Sequence, residues 1–293
     1  MRTTTIILLA SAALVAQPAI AVPGENGSVA REIGRTTEKE LKVSLSSAFG
    51  TVLIGRGESG KILTAEASSD KQESNVMDVE YAIRNRVGFL DMTLGEQKME
   101  KNGNHYSFNL DRFDKGKWFL KFSDAIPISF DIELGVGRGD FNLSGLEVKD
   151  FNLSTGASDV TLAFDQPNTG TIENMNIESG VSKFDARNLG NANFRHLKFQ
   201  GGMGSYTLDF GGELKNEVDV DIEVGLGLVT IIIPEDIGAR VIYENSWVSR
   251  LDCDHDFQPE GDNQYVSANY RKAQGRMNIN IDSGLGSIKV RRR

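Results

Sequence analysis

The stretch VDIEVGLGLVTI, Val220 to Ile231, alternates apolar and polar residues on both sides of a closely spaced pair of glycines. Apolar residues at every second position are typical of a β-strand with one buried face. The same pattern of apolar, x, apolar, x, x, Gly, x, Gly or Ser, x, apolar, x, apolar occurs in six more segments. These copies begin at Val43, Ile132, Phe151, Met175, Leu197 and Ile279.

The glycine that follows the two spacer positions of the pattern is predicted to form a corner between two short strands. Glycine reaches positive φ without the penalty of roughly 1 to 2 kcal/mol that other residues incur there. Every apolar slot of the seven copies holds an apolar residue when Ala186 and Tyr206 are included, and Ala48 replaces the glycine in the copy from Val43. The predicted corner glycines are Gly137, Gly156, Gly180, Gly202, Gly225 and Gly284.

The spacing of the corner glycines predicts how the copies are arranged. The first five follow one another at intervals of 19, 24, 22 and 23 residues. Rungs of about 20 residues that stack about 4.8 Å apart form a β-solenoid. We therefore predict an all-β fold, a right-handed single-stranded β-helix whose last copy closes the C-terminal end. A β-sandwich is the alternative, because alternating strands alone do not distinguish the two folds.

The N-terminus has the features of an exported protein. Arg2, an apolar run from Ile6 to about Ala16 and the triplet AIA ending at Ala21 are typical of a cleavable secretory signal peptide, residues 1–21. No later segment has the roughly 18 uninterrupted apolar residues of a membrane span, so none is expected after cleavage. The predicted location is the periplasm or the outer cell surface.

The rest of the chain divides by composition. Residues 22–40 are polar and are predicted to form a flexible lead, and residues 41–125 a less regular N-terminal β region. Residues 126–293 are predicted to form the regular solenoid, with a long polar insertion around residues 245–270.

Charge and cysteine content limit the possible partners. The formal net charge is −9, and an acidic surface repels phosphate backbones, so nucleic acid is not an expected partner. Cys253 is the single cysteine, which excludes an intramolecular disulfide. We expect it to act as a small buried hydrophobe, and we expect no cofactor.

Three short motifs resemble known binding sequences, and each has a simpler interpretation. GVGRG, residues 135–139, is followed by a strand pattern and not by the helix that a dinucleotide site needs. GRGESGKI, Gly55 to Ile62, lacks the Ser or Thr that holds magnesium in a phosphate-binding loop, so we predict a turn. The tripeptide RGD begins at Arg138, and its glycine fills a recurring slot of the repeat.

The segment Asp252 to Asp256 is the candidate metal cluster. It contains three aspartates and His255, which are possible oxygen and imidazole ligands. A strand would put the aspartates on one face and His255 on the other, and a solvated loop is the preferred interpretation. His105 and His196 lie apart among polar neighbours, so the sequence predicts no catalytic residues and assigns no metal or binding residues.

The run from FDIELGVGRGDFNL through IIIPEDIGARVIY to MNINIDSGLGSIKV resembles bacterial toast-rack domains. It is similar to the C-terminal domain of cell-wall-active antibiotic response proteins, and more distantly to proteins described as secreted β-helical adhesins. The likeness covers roughly residues 40–293 and includes VSLSSAFGTVLI near the N-terminus. It implies a β-solenoid of the cell envelope. The antibiotic-response proteins carry membrane-spanning helices before this domain, whereas this chain begins with a signal sequence.

These observations favour a secreted, non-catalytic β-solenoid of the bacterial cell envelope. Its long polar face would act as an adhesin-like or structural module that binds an envelope component or a surface partner. The alternatives are a carbohydrate-active β-helix enzyme, because some β-helices cleave polysaccharides, and an envelope-stress regulatory protein.

Overall fold

The computed structural model describes residues 15–16, 20–23, 29–68, 77–95, 116–244 and 249–293. These residues contain no α-helix; they form eighteen β-strands and one 3₁₀-helix, Leu189–Ala192. Most of the predicted signal peptide, and His105, lie outside them. The strands are β1 (Val15–Ala16), β2 (Ile20–Pro23), β3 (Val29–Gly34), β4 (Glu40–Arg56), β5 (Lys61–Ser68), β6 (Met77–Arg84), β7 (Val87–Leu94), β8 (Lys117–Phe122), β9 (Ile128–Asn142), β10 (Val148–Ala163), β11 (Ile172–Arg187), β12 (Phe194–Asp209), β13 (Glu217–Ile233), β14 (Gly238–Glu244), β15 (Ser249–Cys253), β16 (Phe257–Pro259), β17 (Gln264–Ser267) and β18 (Arg276–Arg292).

Seven long strands of 15 to 17 residues stack as parallel rungs in the order β4, β9, β10, β11, β12, β13, β18. They include all seven sequence copies, so the predicted all-β solenoid of stacked rungs is confirmed. All the described strands belong to one hydrogen-bonded sheet, and its central pairings are parallel, unlike those of the antiparallel β-sandwich that was the alternative.

Each rung has two arms that meet at a corner. In β10 the leading arm is Val148–Thr155 and the trailing arm is Ala157–Ala163, with Gly156 between them. Inward side chains of both arms are apolar and buried, and they line up from rung to rung. Phe199 of a leading arm and Tyr206 of a trailing arm pack with ring centroids 5.2 Å apart. The core therefore lies between the two arms and runs the length of the stack.

The corner glycines form a ladder along which successive main chains lie in contact. A methyl group added at Gly180 would lie 2.7 Å from the carbonyl oxygen of Gly156, and one at Gly202 would lie 2.8 Å from that of Gly180. Gly225 and Gly284 have the same relation to the glycine of the rung below. These four corners therefore require glycine, because a methyl group does not fit between the stacked rungs.

The predicted reason for these glycines, positive φ, is wrong for most of them. The five corner glycines from Gly156 onwards are absent from the residues with positive φ. Left-handed backbone occurs two positions later, at Gly50 (φ 112°) and Gly286 (φ 153°). At the first glycine the requirement is steric exclusion alone, whereas Gly286 has both a left-handed backbone and a neighbouring carbonyl oxygen, that of Gly227, too close for a methyl group.

Gly137 is not a member of the ladder. The sheet register pairs Ala157 with Val136 and Ser158 with Gly137, which puts Gly135 beside Gly156. Gly137 is at the second position, with φ 148°. The alignment of this copy was therefore shifted by two residues. A shift of two keeps every side chain on its own face, and the shifted register has an apolar residue in every slot, whereas the observed one places Gly139 in an apolar slot. The apolar pattern therefore favoured the wrong register.

On the side opposite the corner, asparagine side chains join the turns between rungs. The buried amide of Asn168 donates to the carbonyl oxygens of Val148 (2.8 Å) and Ala192 (3.0 Å) and accepts from the amide of Val148 (2.9 Å). Asn191 donates to Phe164 in the same way (2.9 Å). These bonds satisfy backbone groups that the turns would otherwise leave unpaired inside the protein.

The last copy does not close the stack, contrary to the prediction. β18 lies between β13 and an outer rung whose leading arm is β14 and whose trailing arm is β15. β14 ends at Glu244 and β15 begins at Ser249, and the sequence between them contains no glycine, so the repeat pattern did not reveal this rung. β17 then covers β14 in antiparallel pairing, and β16 pairs with β17.

The opposite end is built in a similar way. β7 and β8 pair with the leading and trailing arms of β4 and form one further rung. In the sequence 22 residues lie between them, since β7 ends at Leu94 and β8 begins at Lys117. Antiparallel strands β6 and β5 cover β7 and β8, and β3 covers β5. Antiparallel strands thus end the parallel stack at both ends, which limits the length of exposed strand edge.

Candidate binding face

The outward side chains of the leading arms form a continuous polar surface, which we call the leading face. Register places them in three rows that run along the stack. The rows are Lys42, Ser129, Asp150, Asn174, His196, Asp219 and Asn278; Ser44, Asp131, Asn152, Asn176, Lys198, Asp221 and Asn280; and Ser46, Glu133, Ser154, Glu178, Gln200, Glu223 and Asp282.

Side-chain hydrogen bonds between rungs hold this surface in place. Ser129 donates to Asp150 (2.8 Å), and Asn176 donates to Asn152 (2.9 Å). Farther along the stack, Asn280 donates to Asp221 (2.8 Å). Neighbouring rungs therefore fix one another's carboxylate and amide groups, and the leading face presents a regular array of donors and acceptors.

The leading face is acidic, whereas the opposite face is balanced. Its three rows carry eight carboxylates and two lysines, and Lys198 lies 3.3 Å from Glu223. The first two outward rows of the trailing arms carry three carboxylates and three cations in the same seven rungs. At the start of β13, hydrogen bonds from Asn278 and Arg276 lower the pKa of Glu217.

A groove of about 460 Å³ opens on the leading face near its N-terminal end. Leu90 and Phe130 line it between outward residues while their side chains are buried in the core, and Phe89 is the half-buried aromatic ring of the groove. The guanidinium of Arg84 lies over this ring, 5.7 Å from its centroid. The polar residues of the groove are Lys42, Ser44, Asp91, Ser129, Asp131, Asp150, Asn152, Asn174 and Asn176.

Sequence reasoning did not identify these groove residues. The signal was present in the repeat, because the polar positions of each copy are outward positions and stack in rows. Asp91 and Phe89 could not be placed on this face from the sequence, since they belong to β7, which lies outside the repeated copies. The face that carries the groove became evident only with the register.

The candidate metal segment is held by arginines. Asp252 lies in β15 and accepts a hydrogen bond from Arg291 (2.6 Å), and this bond lowers the pKa of the Asp252 carboxyl. Asp254 accepts from the backbone amide of Arg292 (2.7 Å), and Asp256 lies 2.9 Å from the Arg292 guanidinium. Within the described ranges no group of three or more His, Cys, Asp or Glu side chains converges as metal ligands would.

The glycine motifs lie in ordinary β-structure. Residues 55–62 form the end of β4, a turn and the start of β5, and Lys61 pairs there with Glu32 (3.0 Å). Within the RGD tripeptide, Gly139 is buried beneath the ring of Phe141. Gly139 has no side chain to fill its inward position, and the ring of Phe141 occupies that space in the core.

Cys253 and His196 have different surroundings. Burial, reinforced by the nearby Asp252 carboxylate, raises the pKa of the Cys253 thiol to about 12. His196 is exposed on the leading face, with Nδ1 3.5 Å from the carboxylate of Asp219. Neither residue lies in the groove.

Among the described residues, no helix is long and apolar enough to cross a membrane. The sequence matches none of the curated proteins. Among solved structures it is similar to a "putative cell adhesion protein" from Clostridium sporogenes, with 21% identity, a TM-score of 0.45, and coverage of 91% of this chain and 99% of that one. A "putative adhesin" from Bacteroides fragilis is 14% identical, with a TM-score of 0.39 and coverage of 92% and 98%. A "putative lipid binding protein" from Parabacteroides distasonis is 12% identical, with a TM-score of 0.25 and coverage of 91% and 98%.

The family model of the N-terminal domain of toast_rack, DUF2154, matches residues 22–187 and 168–232. These matches extend from the segment before β3 to the end of β13 and include six of the seven copies of the repeat. The predicted resemblance to toast-rack domains is thereby confirmed, and the chain belongs to the family of the N-terminal domain of toast_rack.

Proposed function

We propose that this protein is an exported, non-catalytic binding module that holds a glycan of the cell envelope on its leading face. The observation that carries the proposal is the groove, where the Phe89 ring lies beside rows of aspartate and asparagine side chains. Amide and carboxylate groups exchange hydrogen bonds with sugar hydroxyls, and an aromatic ring packs against the apolar face of a sugar ring.

The charge of the leading face selects among glycans. Asp91, Asp131 and Asp150 line the groove, and the rows beyond it are rich in carboxylates. Uronic acid polymers would be repelled, because like charges that face one another across a binding site cost free energy. We therefore expect neutral sugars to be the preferred ligands.

A rigid face of this length suits a polymer. The hydrogen bonds between rungs hold Asn152 and Asn176 in place before any ligand arrives, so little side-chain entropy is lost on binding. The family match and the adhesin-like names of similar structures agree with a binding role. The signal-like N-terminus supports export to the periplasm or the outer surface.

The test is calorimetric titration with a hexamer of N-acetylglucosamine and, separately, with polygalacturonate. We expect the neutral hexamer to bind and the acidic polymer not to bind. Phe89→Ala and Asn176→Ala should each weaken binding about tenfold or more, and Thr207→Ala on the opposite face should not. Equal binding by Phe89→Ala and the unaltered protein would contradict the site.

Two further measurements test the remaining parts of the proposal. Incubation with both sugars should release no reducing ends, since a non-catalytic module leaves the polymer intact. N-terminal sequencing of protein from the periplasmic or outer-surface fraction should begin at Val22. Release of new reducing ends, or full-length protein in the cytoplasm alone, would overturn the corresponding part.

A further inference from the structure

A row of exposed apolar side chains follows the corner of the stack. The residue after each ladder glycine points outward, and these residues pair with one another from rung to rung. Five of them, Val136, Val181, Met203, Leu226 and Leu285, are between 41% and 62% exposed. Together with Ala157, which occupies the β10 position, we call them the corner ridge.

The corner ridge is a continuous feature and not a set of scattered residues. It spans six adjacent rungs, a length of about 24 Å at the usual strand spacing. Contiguous apolar surface of this kind marks an interaction site in a soluble protein. The groove lies on the leading face, away from the corner, so the ridge is available for a different partner.

The charges that flank the corner ridge differ on its two sides. On the leading side, two residues before the corner, lie Glu133 in β9 and Glu178 in β11. On the trailing side of the same rungs lie Arg138 and Lys183. All four are exposed, and none of them forms a salt bridge with another described residue.

This arrangement is self-complementary in one orientation. A two-fold axis parallel to the stack puts each rung opposite the same rung of a second copy and exchanges the two flanks. Glu133 then opposes Arg138 of the second copy, and Glu178 opposes Lys183. A two-fold axis across the ridge would instead oppose acidic flank with acidic flank, which is unfavourable.

We propose that the corner ridge is a homodimer interface, in which two copies pack corner to corner with their stacks parallel. Each ridge covers the other's apolar side chains, and the four charged pairs on the flanks fix the register. The contact is narrow, so we expect a dissociation constant on the order of 1 to 100 µM. Both leading faces stay open in this dimer.

Sedimentation velocity at about 1 µM to 1 mM protein tests the dimer. The unaltered chain should pass from monomer to dimer over this range. Met203→Glu should raise the dissociation constant at least tenfold, and Thr207→Glu, on the same strand but off the ridge, should leave it unchanged. Circular dichroism and melting temperature show that both variants fold.

Charge reversal tests the orientation. The double variant Glu133→Lys/Glu178→Lys should be monomeric, because it places like charges opposite one another. The double variant Arg138→Glu/Lys183→Glu should be monomeric for the same reason. An equimolar mixture of the two variants should restore a dimer, since every opposing pair is then of opposite sign.

Other results would overturn the proposal. A chain that stays monomeric up to about 1 mM, or a dimer that Met203→Glu does not weaken, would exclude the ridge as the interface. Charge-reversed variants that dimerise alone would exclude the parallel orientation. Binding of the monomer to phosphatidylcholine vesicles that depends on Met203 would assign the ridge to a membrane.

Discussion

At the scale of single residues, glycine is required at the corner positions because the neighbouring rung lies too close for a side chain, and not because the backbone there has positive φ. Gly202→Ala would put a methyl group 2.8 Å from the carbonyl oxygen of Gly180, with rungs packed on both sides. We expect the free energy of unfolding to fall by about 1 to 3 kcal/mol, as for other overpacked sites. Urea denaturation followed by circular dichroism measures the change.

Two controls separate steric exclusion from a general sensitivity to substitution. A methyl group at Gly55, near the end of β4, meets no atom within 4 Å, so Gly55→Ala should be tolerated. Lys198→Ser removes one exposed ion pair and should change stability by less than about 1 kcal/mol. Equal losses in all three variants would contradict the ladder of close contacts.

Cys253 provides a second test at this scale. Because its pKa is raised to about 12, first by burial and then by Asp252, the reactive thiolate is scarce at pH 8. Iodoacetamide should therefore label the folded protein about a thousandfold more slowly than the urea-unfolded protein, in proportion to the thiolate fraction. Mass spectrometry over time gives both rates, and similar rates would mean that the thiol is open to solvent.

At the scale of elements, the turns opposite the corner depend on asparagine. Asn168→Leu would leave the amide of Val148 and the carbonyl oxygens of Val148 and Ala192 without these partners inside the protein. We expect a loss of about 2 to 4 kcal/mol in the free energy of unfolding, since buried unpaired groups are costly. Thermal and urea unfolding measure it.

The matched control is Asn280→Leu on the leading face. This asparagine is exposed and makes one side-chain bond, to Asp221, so its loss should cost less than about 1 kcal/mol. A stable Asn168→Leu variant would show that water or a shifted turn replaces the amide.

At the scale of the whole molecule, the last strand joins two parts of the stack. β18 pairs with β13 on one side and with β14 and β15 on the other. Truncation after Gly275 should therefore expose the edge of β13 and detach the outer rung, with loss of the cooperative thermal transition. Soluble yield and circular dichroism measure the effect.

Adding the peptide of residues 276–293 to the truncated chain during refolding should restore part of the soluble yield. A truncated chain that keeps its melting temperature would instead mean that β18 is dispensable, as a terminal rung would be.

The apolar alternation of the sequence was sufficient to predict strands, inward faces and stacking. In β9 it favoured Gly137 as the corner over Gly135, because the observed register puts Gly139 in a slot that is apolar in the other copies. Contacts with the neighbouring rungs decided that choice. The rung of β14 and β15 was also missed, because the sequence between these strands has no glycine by which to recognise it.

The sequence by itself determined the all-β fold and its stacked rungs, since copies of one alternating pattern recur about every 20 residues with a glycine at the same place in six of the seven. The tertiary structure alone decided the place of β18, the groove beside Phe89 and the corner ridge. These features depend on which residues from distant parts of the chain lie side by side, and local periodicity carries no information about that pairing.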